Sequence, residues 1–79
     1  MKLGKYYHHK NPNKEYRILG VAFDTATDSK VVLYQALHEV PDLAEEYGIN
    51  PVFTRPYDVF FGTVEHEGKT VSRFEYIGE

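Results

Sequence analysis

The 79-residue chain has no cysteine, so no disulfide can staple it and no thiol nucleophile is available. That absence fits a reducing cytoplasm, which is the expected location. No apolar run approaches the roughly 18 residues of a membrane span. Met1-Lys2-Leu3-Gly4-Lys5 carries positive charge with no apolar stretch behind it, so no export signal is expected. The six glycines are scattered singly, which excludes a phosphate-cradling glycine loop. Ser29 and Ser72 stand in no nucleophile-elbow context, and the carboxylates show no paired arrangement for acid–base work.

What is abundant is aromatic: seven tyrosines and five phenylalanines. A domain this small buries only about 60% of its unfolded surface, so it relies on large side chains, each able to bury roughly 150–250 Å². The whole chain, 1–79, reads as one small domain with room for one core.

Strand signals dominate. Lys5 to His9 reads as a first strand, broken by Asn11-Pro12-Asn13. Glu15 to Phe23 is the longest candidate, apolar in both phases around Gly20, which predicts a strand bent at the glycine. Asp24 to Ser29 is a polar loop, and Lys30 to Leu37 pairs back as a hairpin. Between 39 and 50, Pro41, the early acids Asp42, Glu45 and Glu46, and the stop at Gly48 predict a short helix around 41–47. Val52 to Arg55 is a further strand, and Pro56-Tyr57-Asp58-Val59 suits a tight turn. Glu67-Gly68 predicts a hairpin turn between Thr63–Glu65 and Lys69–Ile77. The expected fold is mostly β: a small SH3-like barrel of five to six short antiparallel strands with that short helix.

Several motifs, in order, resemble the small bacterial family catalogued as domain of unknown function 1653. They are Gly4-x-Tyr6-x-His8, Tyr16-x-Ile18-Leu19-Gly20-Val21-Ala22 and Val32-x-Tyr34-x-Ala36-Leu37, then Arg55-Pro56-x-x-x-Phe60 and Glu67-Gly68-Lys69-x-Val71-x-Arg73-Phe74. Phe53 stands where the family usually has tryptophan, and the 39–50 segment is longer than usual. The resemblance implies a small β-rich domain and no activity.

The four histidines match no metal-ligand spacing, and His8 and His9 would point to opposite faces of a strand, so no metal and no cofactor is expected. Arg55 and Arg73 suit planar recognition of a carboxylate or phosphate; the bland alternative pairs Arg55 with Asp58 and Arg73 with Glu65. Tyr6, Tyr34, Tyr57 and one of Phe60 or Phe61 are candidates for a binding groove. Phe23, Phe53 and Phe74 are assigned to the core.

The leading expectation is therefore a protein- or peptide-binding module using Tyr6, His8, Tyr34, Arg55, Tyr57, Phe60 and Arg73. Under it, Tyr34→Ala combined with Tyr57→Ala removes partner capture without unfolding the domain. The alternative is RNA or single-stranded DNA binding through the basic N-terminal half, with Lys5, Lys10, Lys14 and Arg17; the net charge of −3 argues against a wholesale polyanion binder. A small-ligand protein or enzyme with a polar pocket holding His8 and Arg73 is the second alternative.

Overall fold

The computed structural model describes residues 2–79. Seven strands form: β1 (Gly4–His8), β2 (Asn11–Asp24), β3 (Ser29–Ala36), β4 (Val52–Pro56), β5 (Thr63–His66), β6 (Lys69–Ser72) and β7 (Phe74–Gly78). Five of them make one antiparallel sheet in the order β4-β3-β2-β1-β7, and β5 and β6 pair separately. Among the described residues no helix is long and apolar enough to cross a membrane.

The mostly β class and the short helix are as expected, but the sheets do not close into a barrel. β4 and β7 remain the two edges of the larger sheet. The reason lies in two local events. Helix α2 (Tyr57–Phe60) follows β4 at once and drives Phe60 into the core, where it stacks on Phe74 of β7 at 4.1 Å. The expected long strand from Lys69 to Ile77 also splits at Arg73: β6 stays in the hairpin, while β7 crosses to pair with β1. The Arg73 N–H donates to the Gly62 carbonyl and its own carbonyl accepts from the His9 N–H, tying the two sheets at one residue.

Local chemistry accounts for the turns. Glu67 and Gly68 both adopt positive φ, the backbone a two-residue hairpin requires. Asp24 caps the β2–β3 loop by accepting the Ala26 N–H. A register shift between Ile18 and Gly20 leaves Leu19 without a partner in β3, so the irregularity expected near Gly20 is a bulge. After β3 the chain makes a closed excursion: a single 3₁₀ turn (Pro41–Leu43) runs into α1 (Ala44–Tyr47). The Val40 N–H bonds the Ile49 carbonyl and the Ala36 N–H bonds Pro51, closing its neck.

The concave face carries the core. Tyr6, Ile18, Val32, Tyr34, Phe60 and Phe74 are buried, with Tyr16, Phe53, Tyr57 and Phe61 packed around them. Phe74 is in the core as assigned and Phe53 lies beside it, but Phe23 is 64% exposed, because the β2–β3 arm extends past the end of β1. Tyr6 and Tyr34 take the reverse course: at 5% and 4% exposure they are core, not groove. Each phenol is accommodated by a polar partner. The Tyr6 hydroxyl donates to the Lys2 carbonyl at 2.8 Å, and the Tyr34 oxygen accepts from Arg55.

Candidate functional site

Alternation along the strands sets Phe53 and Arg55 of β4, Tyr34 of β3, Tyr16 of β2 and His8 of β1 on the face that carries the core, where Tyr34 also meets α2's Phe60 at 5.1 Å. Phe74 is the floor. Phe60 covers one of its faces, the Arg55 guanidinium lies over the ring at 5.3 Å, and His8 and Tyr16 meet it edge-on at 5.0 and 5.8 Å. Tyr16 extends the rim toward His38 at 5.1 Å and Phe53 at 6.4 Å.

Neither arginine forms the ion pair expected of it. Arg55 Nε donates to the Tyr34 hydroxyl at 3.2 Å, and Arg73 Nε donates to the Val59 carbonyl at the end of α2, at 3.1 Å. Glu65 instead accepts from Thr70. Among the described residues, no carboxylate lies within ion-pairing distance of Arg55 or Arg73, and the terminal Nη groups of both make no hydrogen bond. Each guanidinium is thus oriented by its Nε while its two-pronged end stays free, the geometry that takes a carboxylate or phosphate.

His8 sits within the field of both. Burial first, then the positive charges of His9, Arg55, Arg73 and Lys10, lower its pKa from the ordinary 6.5 to about 4. Its Nδ1 accepts the Lys10 backbone N–H at 3.2 Å, which leaves the ring proton of the neutral form on Nε2. Burial, assisted by Tyr34 and opposed by Arg55, raises the Tyr16 phenol. At neutral pH the cluster therefore sets two guanidinium charges beside a neutral His8 ring, among aromatic side chains.

His8, Tyr34 and Arg55 gather around the Phe74 ring, and Arg73 lies within the electrostatic reach of His8. Tyr6 and Phe60 are both spent in the core. Tyr57 lies apart on α2, with Lys30 Nζ over its ring at 3.9 Å. The Tyr34→Ala variant is corrected by its burial: truncating a core aromatic costs about 3–5 kcal/mol and would unfold a small domain. Sequence reasoning missed Tyr16 and Phe53 as rim residues; their pairing, Tyr16 with Ala36 and Phe53 with Tyr34, was available from strand phase once the register was known.

The basic residues are not gathered in one place. Lys5 and Arg17 are cross-strand neighbours, Lys5 reaches Glu15 at 4.0 Å, and Lys14 lies in the opposite strand phase to Arg17. Lys10 lies in the turn between β1 and β2. Among the described residues no group of three or more metal-ligating side chains is assembled.

No curated protein matches the chain. A solved structure does: the crystal structure of a protein from Bordetella bronchiseptica is 31% identical, with a TM-score of 0.78, over 99% of this chain and 88% of that one. That protein is assigned to the family described as "Protein of unknown function (DUF1653)", whose model matches residues 4–76 here. The chain belongs to this family.

Proposed function

We propose that the domain is a cytoplasmic protein-recognition module that captures a carboxylate-bearing segment of a partner at the Arg55–Arg73 cluster. The observation that carries this reading is the pair of partly exposed arginines, each held by Nε, with free Nη ends and no acidic partner among the described residues. A charge left unpaired in a partly dry setting is costly unless a ligand supplies its counterion. The flanking Tyr16 and Phe53 rings give that ligand an apolar bed.

The test is affinity capture from bacterial lysate with and without nuclease, comparing the wild type with Arg55→Lys. Lysine keeps the charge but loses the fork and the Tyr34 bond. Protein partners that survive nuclease and are lost in Arg55→Lys support the reading. Capture that disappears with nuclease replaces it with nucleic-acid binding through Lys5, Lys10, Lys14 and Arg17. Capture unaffected by Arg55→Lys refutes the site.

A further inference from the structure

An apolar groove opens beside Arg55. Leu43 and Tyr47 of the excursion and α1, with Pro51, Val52 and Phe53 at the start of β4, line a cavity of about 270 Å³. Phe53 forms its inner wall and also belongs to the arginine cluster, so groove and cluster are continuous. β4 is an edge strand of the larger sheet. The Ala36 N–H bond to the Pro51 carbonyl fixes the ladder: Phe53 and Arg55 fall in the hydrogen-bonded pairs with β3, so the N–H and C=O groups of Val52 and Thr54 point outward. Pro56 ends this open edge, having no N–H.

We infer that the partner segment recognised at Arg55 adds to β4 as an extended antiparallel strand reading acidic-x-apolar-x-basic. The inference rests on the function proposed above and names its ligand. In a strand, side chains two residues apart share a face at a separation of roughly 6.6 Å. Phe53 and Arg55 have that spacing, so an added strand that seats an apolar side chain against Phe53 brings the residue two positions earlier to the Arg55 Nη groups. That residue must be Asp or Glu. Leu43 and Tyr47, which line this groove with Pro51 and Val52, also line a second hollow with Asp42, Glu45 and Glu46, acids with no basic partner among the described residues. Charge complementarity therefore asks for Lys or Arg two positions after the apolar residue, the next place on the same face. Backbone pairing at Val52 and Thr54 supplies affinity, and the alternating side chains supply selectivity.

Two-dimensional NMR titration of the ¹⁵N-labelled full chain decides it. The probe is the heptapeptide Thr-Glu-Thr-Leu-Thr-Lys-Thr with blocked ends. One control, Thr-Glu-Leu-Thr-Thr-Lys-Thr, has the same composition, but its Glu and Leu project to opposite faces. A second has serine in place of leucine. The expected result is binding of the first peptide at least tenfold tighter than either control, with shifts confined to Leu43, Tyr47, Val52, Phe53, Thr54 and Arg55. Equal binding of all three, with the Arg55 Nε–H signal moving, overturns the strand-addition inference and leaves carboxylate capture standing. Failure of every peptide to move Arg55 refutes both.

Discussion

Titration of His8 probes whether the two arginines converge as described. Burial and the neighbouring charges of His9, Arg55, Arg73 and Lys10 bring this imidazole from 6.5 to about 4. The sign follows from proton uptake. As pH falls through 6.5 the unfolded chain protonates His8 while the folded chain does not, so stability is complete above 6.5 and declines between 6.5 and 4. Below about 4 both states are protonated and the decline from this residue stops. Full linkage at about 1.4 kcal/mol per pH unit would amount to roughly 3 kcal/mol; the imidazole is only part-buried, and screening reduces the expected loss to about 1–2 kcal/mol. Two assays read it. The His8 Hε1 resonance should titrate with a midpoint near 4 in the folded protein. Urea unfolding from pH 7.5 to 4.5 should lose stability faster in the wild type than in His8→Gln. Arg55→Gln should raise the His8 midpoint while leaving it below 6.5, because burial is the larger cause. A midpoint near 6.5 in the wild type, or equal urea slopes, would show that His8 is not enclosed by this cluster.

Other perturbations test the frame that holds the site. Phe60→Ala removes a fully buried ring in contact with Tyr6, Tyr34 and Phe74; a loss of about 3–5 kcal/mol is expected by urea denaturation, enough to leave little folded protein at 37 °C. Gly4→Ala should destabilise strongly, since φ is +128° there and a Cβ would lie 2.6 Å from the Gly78 carbonyl oxygen, whereas Gly20→Ala meets open space and should shift the melting temperature little. Arg73→Lys should loosen the hairpin of β5 and β6 while the main sheet keeps its protection, seen as faster amide exchange confined to residues 63–72, because the Nε bond to Val59 is lost.

Much of the fold was legible because its determinants are local. The Glu67-Gly68 turn, the chain reversal expected as a tight turn after Pro56 and found as the single helical turn of α2, the short helix from Pro41 and the β2–β3 hairpin each depend on a few adjacent residues with restricted backbone geometry. That the sheets stay open, and that the last strand splits at Arg73, was not legible. Nothing in Lys69–Ile77 itself interrupts a strand; the break arises because Arg73 meets Gly62 and His9, residues that only the folded chain brings near. The same holds for the aromatics. Tyrosine at 34 and phenylalanine at 23 suggest a wet ring and a dry one, and their places are exchanged, since side-chain polarity ranks burial only on average.

The exchange at Tyr34 links core to site. A phenol can enter an aromatic core only if its hydroxyl finds a partner, and here that partner is a guanidinium 21 residues away rather than a neighbouring carbonyl. The bond that makes Tyr34 tolerable in the core is therefore the bond that aims Arg55 at solvent with its Nη groups unengaged. Asp58, three residues from Arg55, would have satisfied the charge locally, but it lies on α2 and forms no ion pair with Arg55. Removing Arg55 should then cost stability through an unsatisfied phenol, and removing the Tyr34 hydroxyl should weaken the proposed recognition through a guanidinium no longer held in place. Their coupling in a double-mutant cycle with Tyr34→Phe and Arg55→Leu measures how far this domain's core and its proposed binding surface depend on the same bond.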